Sequence, residues 1–168
     1  MRVQGVLMVA VPLVMVAGCG SDDSGAGSAK TQCNEIAADL SLVEEQKKAE
    51  SAPKPLGGIF EEGLYVATAY TQYTGTGGAT GPTGESHRFA LRVFELTLSM
   101  GQHGKYEWLH DDYREAGTFF NNGSSSFATE QTCPPPESGA YIVPSFSVVG
   151  NDILYFVSPK SVVTLTRQ

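Results

Sequence analysis

Cys19 is the residue whose setting most plainly invites covalent chemistry. Met1-Arg2 gives a positive start, Val6 to Val16 is a nearly unbroken apolar run, and small Ala17 and Gly18 precede the thiol. The run is too short for a spanning helix, which takes roughly 20 apolar residues. Residues 1–18 therefore read as an export signal cut between Gly18 and Cys19, leaving a thiol at the new N-terminus where acyl chains can be attached. Two further thiols remain, Cys33 and Cys133. In an oxidising compartment such a pair reads as one disulfide, and the long loop it closes makes the entropic gain on the order of 4–5 kcal/mol. His110-Asp111-Asp112 is the densest ionisable cluster. A histidine and two carboxylates could hold a divalent metal or do acid–base work. Neighbours in a strand face opposite ways, however, and Asp-Asp is common turn chemistry, so a solvated turn is expected there. His87 and His103 stand beside loops and read as surface residues.

Other chemistry lacks its pattern. There is no HExxH, and Ser124-Ser125-Ser126 is not part of a GxSxG elbow. The glycine-rich stretch Gly75 to Gly84 has no GK[ST] and joins two apparent strands, so it reads as a hairpin loop. No catalytic residue, metal or cofactor is expected. The aromatic residues carry the one positive hint. Tyr65, Tyr70, Tyr106 and Trp108 are candidate ligand contacts, because these side chains join an apolar body to a polar tip. The competing expectation is that they fill a core.

The elements that must position these residues are mostly strands. Gly20 to Lys30 is small and polar, and residues 19–33 read as a flexible tether. Asn34 to about Glu50 reads as a short helix within 34–52. Ile36, Leu40 and Val43 form a thin apolar stripe, Asn34 is its N-cap, and Glu44 pairs with Lys48. Pro53 and Pro55 end it. From Gly63 the period changes to two. About eight short strands follow, with turn signals at Gly101–Gly104, Asp111-Asp112, Asn121-Asn122-Gly123 and Gly150-Asn151-Asp152. Phe89, Leu91 and Val93 should share a dry face, with Arg88 and Arg92 in water. The fold class is mainly β. The expected form is an antiparallel meander over 63–168 that curls into a barrel or splits into two packed sheets.

The chain carries 18 acidic and 11 basic residues. Losing Arg2 with the signal leaves 18 against 10, a net charge of −8. Nothing here neutralises phosphates, so nucleic acid is not an expected partner. Anionic lipid is not expected to attract the chain either, so membrane attachment falls to acyl chains on Cys19.

Val16-Ala17-Gly18-Cys19 followed by the GSDDSG tether resembles the lipobox of bacterial lipoproteins. The stretch from Gly63 to Gln168 resembles the lipocalin-like β-domains of envelope lipoproteins. Gly63-Leu64-Tyr65-Val66, Gly117-Thr118-Phe119, Thr132-Cys133-Pro134, the hairpin from Phe146 to Leu154 and the terminal Thr164 to Gln168 carry that likeness. Tyr65 stands where lipocalins usually have the tryptophan of Gly-x-Trp. The resemblance implies an envelope protein anchored through Cys19. Gly20, in place of the aspartate that retains such proteins at the inner membrane, implies the outer membrane. The expected function is a non-catalytic binding or interaction module, its partner an envelope protein or a small apolar ligand. The alternative is an envelope enzyme with an acid–base or metal site that the sequence does not display.

Overall fold

The computed structural model describes residues 33–135 and 144–168. The expected signal, the expected lipobox with Cys19 and the expected tether up to residue 32 lie outside the described residues, as do residues 136–143 of the expected meander. Ten strands are described: β1 Val43–Lys48, β2 Gly63–Tyr73, β3 Gly81–His87, β4 Phe89–Leu98, β5 Gln102–His110, β6 Tyr113–Asn121, β7 Ala128–Cys133, β8 Ser145–Val149, β9 Asp152–Ser158 and β10 Ser161–Arg167.

Eight of these form one antiparallel sheet in the order β7-β6-β5-β4-β2-β10-β9-β8. Apart from the β2–β10 pair, sheet neighbours are also sequence neighbours once β3 is set aside, so the sheet is an up-and-down meander. It curls into a half-barrel. The edges β7 and β8 meet at one end, where Ser126 bridges Ser145 and the Phe146 N–H donates to the Ser125 carbonyl at 2.9 Å. Two-residue turns at Asp111-Asp112 and Gly150-Asn151 set the registers of β5–β6 and β8–β9.

The expected helix over 34–52 is not formed. Its second half is β1, which pairs in parallel with Tyr70–Tyr73 of β2 and antiparallel with β3. The cause is tertiary. β4 pairs only with Gly63–Val66 of β2, so the far half of β2 needs another ladder partner on that side. A thin apolar stripe offers too little burial to hold a lone helix against that demand. The stripe residues are used otherwise: Ile36 and Leu40 pack with Ala90, Leu109 and Leu64, while Val43 packs on the main core. The loop expected over Gly75–Gly84 is also shorter than read, because Gly81–Gly84 open β3. The chain turns at Ser99–Gly101, before β5, rather than across Gly101–Gly104. Asn121-Asn122-Gly123 does not make a tight hairpin. Residues 122–127 form a wider connection whose end meets β8.

Phe89, Leu91 and Val93 are buried in the main core and Arg92 is exposed, as the alternation requires. Arg88 departs from expectation: it is half-buried and its Nε donates to the Leu40 carbonyl at 2.8 Å. The 33–40 segment therefore covers the opposite face of β4 and β5. Asn34, expected as a helix cap, is buried and donates its amide to the carbonyls of Trp108 (2.8 Å) and Glu115 (3.0 Å). Cys33 and Cys133 are disulfide-bonded, Cα to Cα 5.3 Å, which fastens this segment beside β7.

A second segment closes one end of the core. The Gly57 N–H donates to the Phe146 carbonyl at 2.9 Å, and the Val148 N–H donates back to the Gly57 carbonyl at 2.9 Å. Gly57 has φ 74°, and a Cβ there would lie 2.0 Å from the Ser124 carbonyl oxygen, so only glycine fits. Phe60 then enters the core, stacked on Phe146 at 4.6 Å and edge-on to Phe127 and Phe119 at 5.2 and 5.4 Å.

Candidate functional site

Alternation along β5 places Tyr106, Trp108 and His110 on one face, and that face is the concave one. The Asp111-Asp112 turn pairs Trp108 with Glu115 and His110 with Tyr113. A cavity of about 160 Å³ lies between these side chains, Leu91 of β4 and Tyr155 of β9. The Trp108 and Tyr155 rings pack at 4.7 Å between centroids. Gly117 lies across the ladder from Tyr106, and a Cβ there would strike the Glu130 carbonyl at 2.2 Å and the Tyr106 ring at 2.9 Å. Its lack of a side chain gives that ring its place.

Of the four candidate contacts, Tyr106 and Trp108 line the cavity. Tyr65 and Tyr70 are buried elsewhere in the core. The Tyr65 hydroxyl donates to the Glu61 carbonyl at 2.9 Å, and Tyr70 packs edge-on to His87 and Phe89. Glu115 and Tyr155 are cavity residues that the sequence reading missed. The signal for Glu115 was present: a two-residue turn at Asp111-Asp112 fixes the hairpin register, and that register puts Glu115 opposite Trp108.

Glu115 gives the cavity its polarity. Burial raises its carboxyl above the ordinary carboxylate range, against hydrogen bonds from Tyr113 and Tyr106 that act the other way. The Tyr155 hydroxyl is pushed up to about 12 by burial and by the nearby Glu115 charge. Burial and Glu115 hold Tyr106 far above its ordinary range as well. The tyrosines therefore stay neutral, and the ionisable groups left to carry charge in the cavity are Glu115 and, at its rim, His110.

The cavity has an ionisable rim. His110 stacks on Phe89, centroids 4.3 Å apart and planes 17° from parallel. His87 Nδ1 and Asp111 Oδ2 are 3.1 Å apart, and His110 Nε2 lies 3.5 Å from the same oxygen. His87 is thus neither isolated nor simply a surface residue, because the end of β3 brings it to the β5–β6 turn. His103 remains exposed, beside Phe120. Asp111 and Asp112 do form the expected turn, with Asp111 at φ 53°. Burial lowers the His110 pKa, partly offset by Asp111. Burial alone would raise Asp111, but the Arg88 N–H, the His87 hydrogen bond and both imidazoles bring it below its ordinary value. The geometry supports three kinds of chemistry: holding a small ligand, moving a proton between imidazole and carboxylate, or holding a cation.

No family model, curated protein or solved structure matches this chain.

Proposed function

We propose that this chain is a lipid-anchored lipoprotein of the cell envelope, held by acyl chains on Cys19 at the outer membrane, and that its lipocalin-like half-barrel is a non-catalytic binding module for a small ligand. The supporting observation is the cavity of about 160 Å³ walled by Tyr106, Trp108 and Tyr155 around the Glu115 carboxyl. A dry cavity of about 150 Å³ holds a benzene-sized guest. The rings offer flat apolar contact, and Glu115 offers one acceptor, or one negative charge, to a donor head group. The ligand class that fits is a single-ring molecule with a hydroxyl or amine.

Native mass spectrometry of the mature chain, taken from its own envelope in detergent, should find a small molecule retained one to one. Trp108 is the one tryptophan of the chain, so its emission reports on the cavity. Phenol or benzylamine should change that emission saturably, and Tyr155→Ala should abolish the change. A chain that carries nothing and whose emission neither probe alters would refute ligand carriage and turn the module toward protein contact. For the anchor, Cys19→Ala should leave an uncleaved precursor. Normal processing of that variant would refute the lipobox.

An envelope enzyme is the second reading. The observation favouring it is the convergence of His87, His110 and Asp111, with His110 also lining the cavity.

A further inference from the structure

The geometry points to a divalent transition-metal site formed by His87 Nδ1, His110 Nε2 and Asp111 Oδ2, with a fourth coordination position left for water or a ligand. The proposal does not depend on ligand carriage by the cavity. Its first support is spacing. Nitrogen and oxygen donors about 2.0–2.1 Å from a tetrahedral zinc stand roughly 3.3 Å from one another. The two imidazole-to-carboxylate separations, 3.1 and 3.5 Å, bracket that edge length. One donor atom from each of the three residues lies within 4.8 Å of the other two, and binding requires the two imidazoles to draw together toward that edge length.

The second support is what stands behind each donor. A histidine that binds metal through one ring nitrogen usually gives the other N–H to a carboxylate or carbonyl, which fixes its tautomer. Near His87 Nε2, the nitrogen turned away from Asp111, Glu85 Oε2 lies at 3.7 Å, outside hydrogen-bond distance but within reach of a small side-chain movement. Asp111 is already aimed. Its Oδ1 accepts the Arg88 N–H at 2.9 Å, which leaves Oδ2 directed at the two imidazoles. The His110 ring is held flat against Phe89. The nearby cation does not compete, because the Arg88 guanidinium is engaged with the Leu40 carbonyl. The metal would take the place of the proton between His87 Nδ1 and Asp111: in the neutral imidazole that proton passes through solvent to Nε2, and from the imidazolium it leaves to solvent while Nε2 keeps its own.

Two imidazoles and one carboxylate suit a borderline ion such as Zn²⁺ better than Mg²⁺, which prefers oxygen donors and keeps its waters. The cluster joins three stretches of chain: the end of β3, the end of β5 and the turn after β5. A bound ion would therefore cross-link them, and Zn²⁺ should raise the melting temperature.

The test uses the full untagged chain in detergent, stripped with chelator and titrated with Zn²⁺ against a chromophoric competitor. One equivalent should bind, and Mg²⁺ should not displace it. His110→Gln and Asp111→Asn should each weaken binding more than about tenfold. His103→Gln should leave it unchanged. X-ray absorption on the Zn²⁺-loaded unaltered chain needs no variant, and should show two imidazoles, oxygen donors and no sulfur. The proposal is overturned if no equivalent binds, if His110→Gln binds as the unaltered chain does, or if sulfur appears in the coordination shell. In the absence of binding, the cluster is a hydrogen-bonded His–Asp pair and nothing more.

Discussion

Replacing Phe60 with alanine tests the claim that residues 57–60 belong to the core. Phe60 is 3% exposed and meets three rings, Phe119, Phe127 and Phe146. Its backbone is pinned on both sides by one side chain: Gln102 Oε1 accepts the Phe60 N–H at 2.9 Å, and Gln102 Nε2 donates to the Phe60 carbonyl at 2.6 Å. The backbone should therefore stay in place when the ring is removed, and the cavity left behind should not collapse. Truncating a buried phenylalanine costs about 3–5 kcal/mol, and poor collapse favours the upper half of that range. Phe60→Leu keeps most of the apolar contact but loses the ring pairs, so about 1–3 kcal/mol is expected. Ile59 next to it is 48% exposed, and Ile59→Ala should cost less than about 1 kcal/mol. Urea unfolding of the full oxidised chain, followed by Trp108 emission, gives all three values. In a thermal melt, Phe60→Ala should lower the midpoint by roughly 10–20 °C. A loss for Phe60→Ala no larger than that for Ile59→Ala would mean the segment only lies against the barrel end, and the reasoning would fail.

The register of β4 is checked by Leu91→Asp, which buries an unpaired carboxylate and should unfold the domain, against Arg92→Asp, which should be nearly neutral in a thermal melt. Equal effects would place the strand in the wrong register. Glu115 should give a pH-dependent stability. Burial holds its folded pKa above the ordinary 4.5, so its contribution is fully present below 4.5 and is lost as pH rises through the folded value. Glu115→Gln should therefore flatten the decline above pH 4.5 and stabilise the chain at neutral pH, and an unchanged slope in urea melts across that range would count against the assignment. Asn34→Ala leaves the Trp108 and Glu115 carbonyls without their donor and should cost about 1–3 kcal/mol. Faster amide exchange across residues 34–40 should accompany it, and unchanged exchange there would show that Asn34 does not latch the segment.

Much of the sheet was legible because its signals are local. Period two in Phe89, Leu91 and Val93 reports a half-buried strand wherever that strand sits. The Asp111-Asp112 and Gly150-Asn151 turns fix registers within a few residues, and with them the placing of Tyr106, Trp108 and Glu115 on one face. The pairing of Cys33 with Cys133 followed from counting thiols. The errors came where long-range demands overrode local preference. Val43–Lys48 is a strand because half of β2 lacked a neighbour, and no window of sequence around residue 45 contains that fact. Asn34 carries a capping residue's chemistry, but its amide is spent on two carbonyls more than 70 residues away. The His87–His110–Asp111 cluster is the same case. His110 and Asp111 were legible as sequence neighbours but His87 looked isolated, since proximity of side chains 23 and 24 residues apart depends on where β3 ends relative to the β5–β6 turn. Periodicity, turn residues and cysteine number determine strands, faces and one covalent link. Only the packing of the curled sheet decides which strand fills a gap and which ionisable groups meet, because those are set by contacts between segments that carry no information about one another.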